Sequence, residues 1–258
     1  MECIDAAGVR LSAQVLGVGT PVALLHGLVF GNIASWYFPV ALPLSASRRV
    51  IVYDQRGHGD SDMVAQGYDL VTQANDLRCV LEHFNGEEKI DLVGHSVGAL
   101  IALQFALEYP ERVGRLVLVD APLPATQHVA PSLNAVSTRE ELDRFVDTQL
   151  DAAGTLSPRR RERLCQRLGR LLFESSLIKD VNAMRAPALV ELAALKVPVL
   201  LIYGEHSPCR EAGELLMQVL PQASLLQLDC GHYIPQEAPV PLLAGIERFL
   251  ATGGVHHV

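Results

Sequence analysis

Apolar residues in this chain gather into short, nearly unbroken runs, each followed by a polar or glycine-rich stretch and then by a segment with helical spacing. Val22–Leu25, Val50–Tyr53, Ile90–Val93, Leu116–Val119, Val199–Tyr203 and Leu225–Leu228 are runs of this kind. Runs so short, apolar at successive positions, predict strands covered on both faces. Val9–Leu16 predicts a further strand, with Gly17-Val18-Gly19-Thr20-Pro21 as the turn out of it. Leu70–Phe84 places Leu70, Ala74, Leu77 and Leu81 on one helical face. Ala99–Leu107, rich in Ala and Leu, and Leu242–Leu250 predict two more helices. Ile33–Leu44 predicts a helix against which Pro39 and Pro43 count. Strands alternating with helices predict an α/β domain with a mostly parallel central sheet and helices on both faces.

The rhythm breaks between residues 121 and 197. No convincing strand falls there, and Thr138–Leu150, Arg159–Phe173 and Ser176–Met184 carry helical patterns. Ser157-Pro158 predicts a helix start, with Ser157 as N-cap and Pro158 in the first turn. The expected organisation is therefore a sheet domain made of residues 1–120 and 198–251, a helical cap inserted at 121–197, and a frayed tail at 252–258. The pair His256-His257 in that tail reads as disordered surface rather than as a metal site.

In open α/β sheets, reactive groups lie beyond the carboxyl ends of the strands. His26, Ser96, Asp120, Glu205 and His232 all follow predicted strand ends, so one crevice could gather them. The stretch Gly94-His95-Ser96-Val97-Gly98 sits between a predicted strand and a predicted helix, the setting of a nucleophile elbow. So tight a turn leaves no room for side chains two residues to either side of the serine, hence the two glycines. It projects Ser96 Oγ above the sheet and aims the Val97 N–H, at a helix N-terminus, where an oxyanion would form.

Composition narrows the classes. A chain of 258 residues, 49% hydrophobic and 19% charged, can bury a sizeable core. A net charge of -8 argues against a nucleic-acid partner. The basic cluster Arg159-Arg160-Arg161 with Arg163 reads as a solvated helix face. Five cysteines without a C-x-x-C spacing predict thiols in a reducing compartment. The first residues have neither a basic nor an apolar leader segment, and no apolar run approaches a membrane span. The expectation is a soluble, cytoplasmic protein with no membrane partner. No histidines or carboxylates stand at a metal-ligand spacing, so neither a metal nor another cofactor is expected.

Four features together resemble the α/β-hydrolase family over nearly the whole chain. They are His26-Gly27, Asp54-Gln55-Arg56-Gly57-His58-Gly59-Asp60-Ser61, Gly94-His95-Ser96-Val97-Gly98, and Gly231-His232 followed by Pro235-Gln236-Glu237-Ala238-Pro239. The resemblance implies that Ser96 attacks an acyl carbonyl, that His232 is the general base, and that the backbone N–H groups of Leu28 and Val97 form the oxyanion hole. It implies structural roles for His26 and His58, and a His95 that points away from the nucleophile. Haloalkane dehalogenases and epoxide hydrolases of this fold carry an aspartate at the elbow, so Ser96 argues against both.

The chain departs from the family at the acid. Most members read Gly-x-x-Asp after the strand that is here Val199–Tyr203; this chain reads Gly204-Glu205-His206-Ser207, with Ser207 in the acid's place. Either the acid has moved or catalysis is impaired. Asp120 is the leading substitute, since some dehalogenases of this fold carry their acid at that strand end. Glu205 and Asp229 are alternatives, and so is no acid at all. The implied activity is a cofactor-independent serine hydrolase of a carboxylic ester, lactone or acyl thioester with a mainly apolar acyl or alcohol group. A ligand-binding receptor with little turnover and a carbon–carbon bond hydrolase are the rivals.

Overall fold

The computed structural model describes residues 1–124, 129–150 and 157–251, and in it the apolar runs form the middle of one eight-stranded sheet. The strands are β1 (Glu2–Ala6), β2 (Val9–Leu16), β3 (Pro21–Leu25), β4 (Arg49–Tyr53), β5 (Ile90–His95), β6 (Val113–Val119), β7 (Val199–Gly204) and β8 (Ala223–Leu228). Their order is β1-β2-β4-β3-β5-β6-β7-β8. Strands β3 to β8 pair in parallel, whereas β2 runs antiparallel to both β1 and β4. The chain leaves β3 toward β4 on one side and returns to β5 on the other, so a crevice opens beyond the ends of β3 and β5.

The helices are α1 (Ile33–Trp36), α2 (Leu42–Leu44), α3 (Leu70–Asn85), α4 (Val97–Glu108), α5 (Arg139–Leu150), α6 (Pro158–Phe173), α7 (Leu177–Ala183), α8 (Leu189–Ala194), α9 (Arg210–Val219), α10 (Ile234–Glu237) and α11 (Pro239–Ala251). Successive strand residues serve opposite faces, which explains the unbroken apolar runs. Leu25, Ile51, Leu92, Leu118 and Leu201 pack with Leu77, Phe105 and Leu216 of α3, α4 and α9. Their chain neighbours Leu24, Val50, Val93, Val117 and Ile202 pack with Trp36, Leu44 and Ile246 of α1, α2 and α11. Between α1 and α2 the helix widens into a π turn, Tyr37–Ala41, which contains Pro39. The missing proline N–H is accommodated there without ending the helix.

Between β6 and β7 the described residues form a short 3₁₀ turn and α5 to α8, with no strand among them. Leu142, Val146, Leu168 and Leu171 close on Tyr68 and Val29. Polar contacts fasten this helical segment to the sheet domain. The Arg167 guanidinium donates to the carbonyls of Gly57 and Gly59, and the Tyr68 N–H donates to Asp180 at 2.9 Å. Helix α6 begins at Pro158 after an extended Ser157, although the serine side chain makes no capping bond. Arg159, Arg160 and Arg163 are exposed, and Arg161 pairs with Asp147 at 2.7 Å, the solvated face the sequence suggests. No helix among the described residues is long and apolar enough to cross a membrane. The expected frayed tail at 252–258 lies outside the described residues.

The sequence reading leaves out β1, α8, α9 and α10. In β1 only Ile4 and Ala6 face inward, so its composition reads as polar. The turn that pairs it with β2 places Ala7 and Gly8 at φ 52° and 89°, and Asp5 accepts the Gly8 N–H at 2.7 Å.

Candidate active site

Ser96 leaves β5 with φ 55° and ψ −124°, a conformation non-glycine residues avoid. Close packing enforces it. A Cβ at Gly98 would lie 2.4 Å from the His26 carbonyl oxygen and 2.5 Å from that of Leu25, and one at Gly94 would lie 2.3 Å from the Gly98 carbonyl oxygen. The Ser96 N–H donates to the Val119 carbonyl at 2.9 Å, which ties the turn to the end of β6. Val97 is the first residue of α4, where backbone N–H groups are not consumed by the helix.

Beyond the ends of β6 and β8, Asp120 and His232 complete a line with Ser96. His232 Nε2 lies 3.0 Å from Ser96 Oγ, and His232 Nδ1 lies 2.6 Å from Asp120 Oδ2. Asp120 is fully buried, and its carboxylate accepts three hydrogen bonds. The donors are the Gly204 N–H at 2.9 Å, the Ser207 hydroxyl and His232. Ser207 in turn accepts the Cys209 N–H at 3.0 Å. The serine in the family's usual acid position therefore holds a carboxylate that arrives from the neighbouring strand. Glu205 and Asp229 are exposed, and Asp229 meets His206 at 2.8 Å rather than His232. Burial pulls the His232 imidazolium down in pKa. The hydrogen bond to Asp120 first, then the contact with Cys209 and the carboxylate charge, outweigh that, and the net displacement is upward from 6.5.

The other histidines brace the surrounding loops. His26 Nδ1–H donates to the Gly27 carbonyl at 2.8 Å, and its Nε2 accepts the Gln55 N–H at 3.0 Å. His58 donates to the Arg56 carbonyl at 2.9 Å and accepts the Val29 N–H at 3.0 Å. Burial holds His26 at about 4 and His58 at about 3, so both rings are neutral and can accept. Between them they fix the Gly27–Val29 loop over the crevice. His95 departs from expectation. Its ring does not point away but lies 5.1 Å from the His232 ring, centroid to centroid, and Nε2–H donates to the His232 carbonyl at 2.8 Å.

A cavity of about 350 Å³ opens onto Ser96, His95 and His232. It is lined by Leu28, Val29 and Phe30, by Leu133 and Phe145 of the helical segment, and by Pro208, Cys209 and Tyr233. Phe30 and Phe145 stack with centroids 5.6 Å apart. Among the described residues, no lysine, arginine, aspartate or glutamate lines the cavity. Of the apolar residues on the helical segment, Val136, Val146, Leu168, Leu171 and Leu172 are spent on packing. Phe173 is exposed, and the side chain of Leu150 and the whole of His128 lie outside the described residues. A larger, shallow groove over Phe38, Pro43 and Val240 lies on the outer surface and contains none of Ser96, Asp120 or His232. Cys209, Phe30 and Tyr233 were not legible as site residues. Tyr233 alone had a signal, its place directly after His232.

A family model described as the alpha/beta hydrolase fold matches residues 20–156, and the chain belongs to that family. A protein of Variovorax paradoxus provisionally named carbamate hydrolase RutD is 39% identical over 118 residues, 45% of this chain and 44% of that protein. Curated relatives of this chain are matched over only 33% to 44% of their own length. Among solved structures, Est816, described as an N-acyl homoserine lactone degrading enzyme, aligns with a TM-score of 0.78 at 23% identity. That alignment covers 96% of this chain and all of the other. The enol-lactonase from Burkholderia xenovorans LB400 aligns with a TM-score of 0.77 at 21% identity, over 97% of this chain and 100% of the other. These structural likenesses bear on the fold alone.

Proposed function

We propose that the protein is a cofactor-independent serine hydrolase of uncharged carboxylic esters or lactones. The observation that carries this reading is the unbroken relay from Ser96 Oγ through the two His232 nitrogens to Asp120. In this reading His232 takes the Ser96 proton as Oγ attacks the carbonyl carbon. The backbone N–H groups of Leu28 and Val97 hold the resulting oxyanion. The imidazolium, stabilised by Asp120, then returns the proton to the leaving group, and water attacks the acyl-enzyme by the same relay in reverse. Residues 121–197 act as a cap that supplies Leu133 and Phe145 to the cavity. A lining without charged side chains among the described residues favours a mainly apolar acyl or alcohol group and disfavours a heavily charged carrier such as a nucleotide thioester. A cytoplasmic setting rests on the five thiols.

A fluorophosphonate probe tests the nucleophile and a panel of aryl esters, lactones and thioesters tests the class. Labelling at Ser96, together with turnover of medium-length apolar esters or lactones, is the expected result. An unlabelled protein, or one inert across the panel, overturns the proposal in favour of a receptor.

The relay also sets a pH dependence. Only neutral His232 can accept the Ser96 proton, and the Asp120 contact holds its pKa above the ordinary 6.5. kcat/KM should therefore rise with pH along a limb centred above 6.5, and not at it as an unpaired imidazole would give. Rates measured from acid to alkaline pH on one ester check this; a limb centred below that value would remove the charge-paired base.

A further inference from the structure

Beside the relay lies a thiol that it does not use. Cys209 Sγ is 3.6 Å from His232 Nδ1, on the same side of the ring as Asp120 Oδ2. One donor atom each from Asp120, Cys209 and His232 lie within 4.8 Å of one another. Thiolate, imidazole and carboxylate are the donor types that bind zinc, and three such ligands plus a solvent molecule make a tetrahedral site. Ligand bonds of about 2.3 Å to sulfur and about 2.0 Å to nitrogen in a tetrahedron put those atoms roughly 3.5 Å apart, close to the 3.6 Å found here. The nitrogen and oxygen, 2.6 Å apart in the hydrogen bond, need to open by somewhat less than 1 Å. No sequence spacing betrays the set, because its members stand at 120, 209 and 232, on three separate loops beyond the sheet. Cys209 lines the cavity, so an ion has a route to it.

We infer that Asp120, Cys209 and His232 form a regulatory site for a borderline or soft divalent cation, zinc or cadmium, whose binding switches the relay off. The cation bonds to Cys209 Sγ, His232 Nδ1 and Asp120 Oδ2. The Cys209 S–H bond breaks and one proton leaves to solvent. The His232 Nδ1–H bond also breaks, and a proton is taken up at Nε2, so the imidazole stays neutral and no redox change occurs. An imidazole metallated at Nδ1 and protonated at Nε2 has no lone pair for the Ser96 proton. The site is thus inhibitory, the opposite of a catalytic metal centre. The inhibitory effect rests on the proposed serine mechanism; the binding itself does not.

The test uses the whole 258-residue chain freed of metal by a chelator. Zinc is titrated against ester turnover and, separately, by calorimetry, and cadmium binding is followed by its thiolate charge-transfer absorption. One tight site, reversible inhibition by zinc and a cadmium–thiolate band are expected. Loss of an outer-shell partner of a metal site weakens binding about 10–100-fold, so loss of the sulfur ligand in Cys209→Ser or Cys209→Ala should weaken it by at least that much. Each variant is compared with its own metal-free rate, and Cys209→Ser keeps nearly the native volume should Cys209→Ala not fold. The exposed contact of His206 with Asp229 at 2.8 Å is removed by His206→Gln in every background, as a control against zinc taken up at the surface. An inhibition constant unchanged by the Cys209 substitutions, or a cadmium band that survives them, overturns the site. A protein that binds zinc tightly through Cys209 yet turns over no ester keeps the site and overturns the serine-hydrolase reading instead.

Discussion

Replacing Ser96 by alanine should abolish hydrolysis while leaving the fold in place. In serine hydrolases whose nucleophile and base act as a unit, loss of the nucleophile costs on the order of 10⁴–10⁶-fold in kcat, and the residue comes from the oxyanion hole and binding alone. The geometry here makes the separation of activity from stability clean. The strained backbone of residue 96 is imposed by the contacts of Gly94 and Gly98 and by the bond from its N–H to the Val119 carbonyl, none of which involves the hydroxyl. Among the described residues Ser96 Oγ meets only His232 Nε2, at 3.0 Å, and both residues line the cavity, where water can replace the hydroxyl. Steady-state turnover of an ester and a denaturant midpoint, measured on the same preparation, provide the check. A Ser96→Ala protein with a tenth of the native rate would remove the serine mechanism, and a midpoint far below native would mean that the rate loss reports unfolding.

How much of this was legible beforehand depends on which forces fix each feature. The parallel strands were readable because a strand buried on both faces must be apolar at every position, as in Val22–Leu25 and Leu116–Val119. The elbow was readable because only glycine fits where Gly94 and Gly98 pack. By contrast β1 owes its existence to pairing with β2 rather than to its own composition. Helix α9 buries Ala212 and Leu216 against the sheet, a sparse face that the loop after β7 masked. Within the site, the sequence raised the question of the acid without deciding it. Asp120, Glu205 and Asp229 all follow strands; what separates them is burial, for Asp120 ends β6, flanked by β5 and β7, and is fully buried, while the other two are exposed. The orientation of His95 toward the carbonyl of His232 is likewise a tertiary fact, since residue spacing says nothing of which way a ring beside the nucleophile turns.

Asp120→Asn should lower kcat steeply without disturbing the backbone. Asp120 sits at φ 47°, a conformation asparagine tolerates as readily as aspartate, and the amide oxygen can still accept the Gly204 N–H. What changes is the partner of His232 Nδ1. An amide N–H facing that nitrogen favours the tautomer with the proton on Nε2, which cannot take the proton of Ser96, and the charge that stabilises the imidazolium is gone. The comparable change in serine proteases costs about 10⁴-fold in kcat, and a loss approaching that order is expected here. The midpoint of the kcat/KM limb should fall at the same time, because the carboxylate that raised His232 above 6.5 has been removed. That paired shift separates a positioning acid from a residue that merely holds the loop. Ser207→Asp added to Asp120→Asn should recover part of the rate and move the limb back up, since it returns a carboxylate to the neighbourhood of Nδ1. Ser207→Asp alone should do harm, for two carboxylates facing each other in a buried site cannot both stay ionised. An Asp120→Asn protein with native kcat, or one whose pH limb does not move, would remove Asp120 as the acid of His232.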